Sequence, residues 1–571
     1  MKQMKREIAT GIQDFEYLRI NNGFYVDKTV FIRAWWKGLD SVTLITRPRR
    51  FGKTLNMSML NCFFSNKFEN RGELFEGLKI WEDAEMREQQ GKWPVIFLSF
   101  AEVKQPDCVA MKESINQIIA DLYNEYRWLL EKPELSDEDR AFYQKVRDTM
   151  PDRIAAISIR KLCEWLYRYY GKKVLVFLDE YDTPLQEAYI NGFWDDMVAY
   201  TRALFNSTFK TNPSMERGIM TGITRVSKES IFSDLNNLVV ITTTSDRYAD
   251  CFGFTEEEVF QALDEQGFTE KDKRDVKRWY DGFIFGKVND IYNPWSITNY
   301  LKEKKLAVYW ANTSSNGLVG KLLRTGDPEI KKLFEMLMKG ECIKVPVDEQ
   351  IIFNQLNTNP AAIWSLLLAS GYLKVVHTLT FAEAGYAIKE EIYTLELTNY
   401  EVHKMFGSLI QLWFAKTGGL TRFTKAMLQG DPETMEEYLG DIMLTSMSSF
   451  DSGMTSPDKL PESFYHGLVL GLLVEQTGQY NVRSNRESGY GRYDVMMEPI
   501  SSGDPTVILE FKLFSSRRGE KTLEDTVDNA LKQIEEKQYD AELLDRGIPQ
   551  DRILKYGLAF RGKECLIRKA K

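Results

Sequence analysis

Apolar residues in this chain gather into short unbroken runs separated by longer stretches of helical spacing. Val42–Ile45, Trp93–Phe100, the run that follows Lys172-Lys173 and ends at Asp179, and Gly218–Thr224 each read as a strand buried on both faces. Leu55–Phe64, the stretch from Ala110 to Leu130, Ile159–Tyr170 and Trp194–Lys210 instead repeat apolar positions every three or four residues, as helices do. Strands alternating with helices predict an α/β core, a parallel sheet with helices on both faces.

Further along the pattern changes. From Thr255 to Leu306 it is helical and rich in aromatics, which predicts a helical lid over 251–310 with Tyr280, Tyr292 and Trp295 as packing anchors. Residues 311–455 read as a mostly helical middle region, with helices at Val402–Thr417 and Lys425–Met447. Within it, Ala361–Val376 has the helix, glycine and strand order shared with winged helices. The turn-rich Ser449–Asp458 marks a last boundary. Residues 456–571 then predict a second α/β domain: a helix over Pro461–Leu473, strands at Tyr480–Ser484, Asp494–Met497 and Thr506–Lys512, and a helix over Asp528–Asp540. The four expected segments are 1–250, 251–310, 311–455 and 456–571.

At 571 residues the chain has room for several cores, and 43% hydrophobic with 27% charged residues is the balance of an ordinary globular protein. No apolar run approaches the roughly 18 residues of a membrane span, and Met1–Glu7 lacks an apolar signal core, so a cytoplasmic location is expected. Six cysteines with no two closer than 46 positions, and three histidines without metal spacing, exclude a disulfide framework and a structural zinc site. A net charge of −9 argues against indiscriminate nucleic-acid binding but leaves room for a local basic groove.

The chemistry starts where the first strand ends. Val42–Ile45 runs into a basic turn, Arg47-Pro-Arg-Arg-Phe-Gly-Lys-Thr54, and then into a helix whose free N–H groups and partial positive charge suit an anion. Lys53 can reach the β- and γ-phosphates of a nucleotide, and the Thr54 hydroxyl can hold Mg²⁺. Arg47 stands where the usual G-x-x-x-x-G-K-[ST] loop begins with glycine, and Pro48 follows it, which predicts a stiffer and more basic loop. The strand ending in Asp179 and Glu180 supplies a carboxylate for the Mg²⁺ shell and another to orient the attacking water. One strand falls in sequence between the loop and this pair, which fits an additional-strand P-loop ATPase better than a simple nucleotide kinase. At the end of the next strand, Thr221 or Thr224 is a candidate γ-phosphate sensor.

Arg47-Pro-Arg-Arg-Phe-Gly-Lys-Thr-Leu55 stands with Tyr25-Val-Asp-Lys-Thr29, Thr221-Gly-Ile-Thr-Arg225, Asn236-Asn237, Phe252-Gly-Phe-Thr-Glu-Glu-Glu258, Trp279-Tyr-Asp-Gly282 and Tyr292-Asn-Pro-Trp-Ser296. Together they resemble the bacterial AAA-like ATPase family, whose members commonly carry a C-terminal PD-(D/E)XK nuclease-type domain. The resemblance implies ATP and Mg²⁺ as cofactors, with nucleotide contacts from Arg49, Arg50, Phe51, Gly52, Lys53, Thr54 and Leu55. It also implies adenine contact from Tyr25 and Asp27 and charge stabilisation by Arg225.

In the last segment, alternation along Glu510-Phe511-Lys512 puts the carboxylate and the ammonium on one face of a strand. With Asp494 on the neighbouring strand, that face can hold one Mg²⁺ and present a lysine to water and a scissile phosphate. This is the PD-(D/E)XK arrangement, and Gly491-Arg-Tyr-Asp494 before Glu510-Phe-Lys512 is its form in the family. By the same resemblance His466 is a candidate ligand of the nuclease metal and Gln533 a candidate nucleic-acid contact, although the spacing from Gln533 to Tyr539 departs from the usual Gln-x-x-x-Tyr. The expected function is an ATP-binding and hydrolysing protein whose nucleotide cycle controls a Mg²⁺-dependent nuclease-type domain acting on DNA or RNA. The alternative is a regulatory ATPase switch whose nuclease-like domain is inactive and binds nucleic acid or a protein. Substrate, pathway and oligomeric state, a homo-oligomer included, stay open.

Overall fold

The computed structural model describes residues 6–224, 231–232, 235–310, 328–338, 340–348, 362–385, 388–415, 420–447, 465, 469, 473, 480–488, 491–500, 503–562 and 564–570. The chain divides into two compact units, Met1–Lys404 and Met405–Lys571.

In the first unit five strands pair entirely in parallel. They are β1 (Val42–Thr46), β2 (Val95–Ser99), β3 (Val174–Asp179), β4 (Met215–Gly222) and β5 (Leu238–Ile241), in the order β2-β3-β4-β1-β5. Every residue of β1 and β3 is buried, so neither shows the polar alternation of a half-exposed strand. Helices Cys108–Glu125, Asp152–Tyr170 and Trp194–Phe209 share one core with Leu44, Val176 and Met220. Helices Val30–Lys37 and Lys53–Phe64 share the other with Ile45, Phe177 and Ile219, the neighbours of those strand residues on the opposite face. β4 is inserted between β1 and β3, which is the additional-strand order. The strands finish level: Thr46 pairs with Gly222 and Leu178 with Met220. The segments following β1, β3 and β4 therefore leave one edge of the sheet, where ligands bind in such folds.

Helices Glu256–Gln266, Glu270–Tyr280 and Pro294–Glu303 form where the periodicity of 251–310 predicts them. The same stretch also holds an antiparallel sheet of β6 (Phe254–Thr255), β7 (Phe283–Phe285) and β8 (Val288–Tyr292), ordered β6-β8-β7, which the helical reading misses because its strands are too short to show a period. Tyr280 and Tyr292 are fully buried there, while Trp295 is half-buried and carries Arg50 on its ring. A second antiparallel sheet contains β9 (Ile343–Pro346), β10 (Leu373–Leu379) and β11 (Ile392–Leu397), ordered β10-β11-β9. Helix Ala362–Ala369 and Gly371 lead into β10, as the sequence predicts.

The second unit is built on β12 (Tyr480–Ser488), β13 (Gly491–Pro499), β14 (Thr506–Leu513), β15 (Ile553–Arg561) and β16 (Glu564–Lys569), paired in that order. Only β14 and β15 are parallel, and helix Leu523–Glu536 lies in the crossover that joins them. It starts earlier than the expected Asp528 because Thr522 and Asp525 form a capping box, and it ends before Gln538, whose φ is 50°. Helices Leu420–Gln429 and Pro432–Met447, assigned by the sequence to the middle region, pack Phe423, Met427, Met435 and Leu439 against Val495, Leu509 and Tyr556 of this sheet. Of the helix expected over 461–473, Tyr465, Val469 and Leu473 are described, all buried in the same core at one-turn spacing. Among the described residues no helix is long and apolar enough to cross a membrane.

Candidate functional site

The loop after β1 is held from beneath by Arg47. Its guanidinium is fully buried and donates to the carbonyls of Thr46 (2.9 Å), Thr242 (2.6 Å) and Tyr248 (3.4 Å), with the ring of Phe285 4.8 Å away. Burial lowers its pKa to about 10, so it stays charged at neutral pH. This corrects one expectation: the arginine in the glycine position stiffens the loop, but its charge points into the domain and adds nothing to the loop's outer face. Arg47→Ala would strand several buried carbonyls and should lower unfolding stability by about 3 kcal/mol. Urea denaturation checks this, and an unchanged midpoint would contradict it.

Above this anchor the loop turns through Gly52 at φ 79°, where a Cβ would meet nothing within 4 Å. The space over the glycine is open, and the helix Lys53–Phe64 begins directly beyond it. Lys53 is buried, with Nζ 3.1 Å from the Arg47 carbonyl, 3.2 Å from that of Pro48 and 3.3 Å from Glu180 Oε1. Thr54 Oγ1 donates to Asp179 Oδ2 at 2.8 Å, and Thr221 donates to the other oxygen of the same carboxylate. Thr221 Oγ1 in turn accepts the N–H of Glu180 at 3.3 Å. Burial, reinforced by the Glu180 carboxylate, pushes Asp179 above the ordinary carboxylate range against the pull of Thr221, Thr54 and Lys53. A cation beside Asp179 would relieve that strain. Glu180 itself sits at φ 53°, an unusual conformation for a glutamate.

Of the other expected nucleotide contacts, Arg49 and Arg50 lie in the loop shortly before Gly52. Arg49 Nη2 bonds Gln186 at 3.3 Å, while Arg50 is exposed and stacks 4.4 Å from the Trp295 ring. Phe51 is turned inward between Phe283 (4.7 Å) and Phe285 (5.3 Å), and Leu55 packs at the edge of the core beneath the helix. Among the described residues, Tyr25 and Asp27 share no hydrogen bond with the groups named above. The Tyr25 hydroxyl points at Met59 Sδ, 3.2 Å away inside the core, and Asp27 accepts the N–H of Thr29 in its own turn and that of the distant Lys79. Each already has a packing role that accounts for it. Thr224 bonds Asp182 rather than facing Asp179, which leaves Thr221 as the better placed of the two sensor candidates. Arg225 lies outside the described residues.

The second centre is on β13 and β14. Their register pairs Val495 with Leu509, which sets Asp494 beside Glu510. Asp494 Oδ2 accepts the N–H of Phe511 at 2.7 Å, and Lys512 Nζ lies 3.6 Å from Glu510 Oε1. Glu510 is buried and also accepts from Gln533 Nε2, which donates to the Tyr539 hydroxyl at 2.9 Å. Gln533 and Tyr539 thus meet despite their unusual spacing, because the turn at Gln538 folds the tyrosine back under the helix end. Gln533 is half-buried and bonded to the carboxylate site. His466 lies outside the described residues.

With both centres in view, the comparisons fall on the same two regions. Residues 9–232 match the profile of a family described as predicted AAA-ATPase, and residues 460–570 match that of the PD-(D/E)XK nuclease superfamily. The chain joins an AAA-ATPase-like domain to a PD-(D/E)XK superfamily domain. An uncharacterised protein in the vnfD 5′ region of Azotobacter chroococcum mcd 1 is 25% identical over 315 residues, 54% of this chain and 55% of that protein. The match therefore spans about half the length of that relative.

The residues present fit the groups these domains generally use. In the AAA-ATPase-like domain, open space over Gly52, a buried ammonium, and a hydroxyl bonded to a buried carboxylate fit a nucleotide phosphate with Mg²⁺. In the PD-(D/E)XK domain, two carboxylates on paired strands with a lysine beside them fit a divalent cation. Sequence reading missed Gln186, Asn293 and Trp310, all of which hold the P-loop from distant positions. Asn293 Nδ2 and Trp310 Nε1 donate to the Arg49 carbonyl at 3.3 and 2.9 Å. Their partners are far away in sequence, the Arg49 guanidinium for Gln186 and the Arg49 carbonyl for Asn293 and Trp310, and of the three only Asn293 stands in a motif noted above.

Proposed function

We propose that this protein binds and hydrolyses ATP with Mg²⁺, and that its nucleotide cycle controls the C-terminal domain, which acts as a Mg²⁺-dependent nuclease on DNA or RNA. The observation that carries the ATPase reading is the constellation of Lys53, Thr54, Asp179, Glu180 and Thr221 at one sheet edge, joined by direct bonds. Bound Mg·ATP supplies the electrophilic γ-phosphorus. Lys53 exchanges its loop carbonyls for phosphate oxygens, Thr54 and Asp179 hold the cation, and Glu180 orients a water and takes up its proton. At the second site Asp494 and Glu510 hold the cation, and Lys512 stabilises charge on a phosphodiester.

The control arm of the proposal is supported by a chain of bonds leaving the P-loop. Trp310, whose indole holds the Arg49 carbonyl, gives its own backbone N–H to Glu401 Oε1 at 2.7 Å, and Tyr309 N–H does so at 2.6 Å. Glu401 is fully buried and accepts Ser296 Oγ as well at 2.8 Å. It stands at the start of helix Tyr400–Ala415, which continues along the chain into the second unit. A loop that moves on binding phosphate would pull on this helix.

The second reading, a switch with an inactive nuclease-like domain, is favoured by the contacts Glu510 already makes through Oε1, with Gln533 and Lys512. The ATPase reading is tested by calorimetry with Mg·ATP. Lys53→Ala should weaken binding by about 2 kcal/mol, some thirtyfold. Equal affinity in the variant and the wild type would overturn it.

A further inference from the structure

The end of β4 grips the residues after β3 at more points than strand pairing requires. Besides the Thr221 hydroxyl, the Thr221 carbonyl accepts Tyr181 N–H at 2.9 Å, and the Thr224 carbonyl accepts the Tyr181 hydroxyl at 2.8 Å. Most of the grip falls on Asp182, which is fully buried. Its Oδ2 accepts Ile223 N–H (3.0 Å), Thr224 N–H (2.9 Å), Thr224 Oγ1 (3.0 Å) and Gln186 Nε2 (2.9 Å). Its Oδ1 meets no donor among the described residues and lies where a Cβ on Gly222 would come within 2.7 Å, so β4 must end in glycine. Glu180 stands between the anchors at Asp179 and Asp182 in the left-handed region, φ 53°. A non-glycine residue keeps that conformation only where its surroundings enforce it.

We propose that Asp182 is a positioning residue for Glu180. By fastening the segment after β3 to Ile223 and Thr224, it holds Glu180 left-handed with its carboxylate turned toward Lys53. The assignment rests on the ATPase reading above. Gln186 extends the fastening to the P-loop, since its Oε1 accepts Arg49 Nη2 at 3.3 Å. The bonds of Asp182 go to Ile223, Thr224 and Gln186, and it reaches a candidate nucleotide contact only indirectly, through Gln186 and Arg49, so its loss acts mainly on turnover.

Steady-state ATP hydrolysis by the full-length protein tests this. Asp182→Ala should lower kcat by roughly ten- to a hundredfold with KM changed by less than about threefold. Asp182→Asn keeps an acceptor oxygen at the same reach and should restore kcat to within about threefold of wild type, because the role is hydrogen bonding and not charge. In a Glu180→Gln background, Asp182→Ala should cost less than about twofold more, since the two residues act as one unit. Thr224→Val removes one donor from the same carboxylate; it should lower kcat less with the same KM pattern, and it replaces the alanine variant if that fails to fold. The proposal is overturned if these variants raise KM while sparing kcat, if Asn fails to restore turnover, or if the losses multiply in the Glu180→Gln background. A wild type that binds ATP without hydrolysing it overturns the ATPase reading and this assignment with it, a result visible before any variant is compared.

Discussion

Glu180→Gln should bind ATP as tightly as the wild type and hydrolyse it at least about a hundredfold more slowly. The substitution preserves size and can still accept a hydrogen bond from Lys53 Nζ, which lies 3.3 Å from Glu180 Oε1. Phosphate-binding geometry is therefore kept. What is lost is a carboxylate able to take a proton from water, along with a negative charge that competes with phosphate for Lys53, so affinity holds or tightens while turnover collapses. Phosphate release and calorimetry on one preparation separate the two effects. A Glu180→Gln protein that turns over at the wild-type rate would remove Glu180 from the chemistry.

Asp494→Ala and Lys512→Ala should each reduce Mg²⁺-dependent cleavage of nucleic acid by at least about a hundredfold, with ATP turnover retained. Asp494 and Glu510 are brought together by the β13–β14 register, and two adjacent carboxylates repel unless a cation or donors compensate them. Here Phe511 N–H, Gln533 and Lys512 compensate in part. Removing Asp494 takes away half of the cation's carboxylate set, and removing Lys512 takes away the charge beside the scissile group. A gel assay on single- and double-stranded DNA and RNA reads both. If the wild type cuts nothing in Mg²⁺ or Mn²⁺, with or without ATP, the inactive-domain reading stands instead.

The parts of the molecule legible in sequence are those whose chemistry is local. β1 and β3 are continuous apolar runs because both their faces are buried, and the residues that follow or end them, from Gly52 to Thr54 and from Asp179 to Glu180, are the ones to which the proposed phosphate and metal chemistry is assigned. Glu510-Phe511-Lys512 is legible for the same reason, since strand alternation alone places its two charged groups on one face. What escaped depends on partners distant in the chain. Arg47 looks like added loop charge until Thr242 and Tyr248 fold beneath it, and Tyr25 looks free to meet a base until Met59 covers its hydroxyl. The spacing from Gln533 to Tyr539 departs from Gln-x-x-x-Tyr, and their contact is not legible in sequence because the left-handed turn at Gln538 has no glycine to announce it. Helices Leu420–Gln429 and Pro432–Met447 have ordinary periodicity, which says that they pack but not on which sheet.

Nucleotide bound at Lys53 is proposed to govern chemistry at Asp494 and Glu510. The most direct measurement is cleavage of a labelled DNA and RNA panel in Mg²⁺, with and without ATP, by wild type and by Lys53→Ala side by side. ATP should change the wild-type cleavage rate by at least about fivefold, the low end of an ordinary coupling between sites, and leave the Lys53→Ala rate unchanged. Cleavage that proceeds at one rate in all four conditions would contradict it.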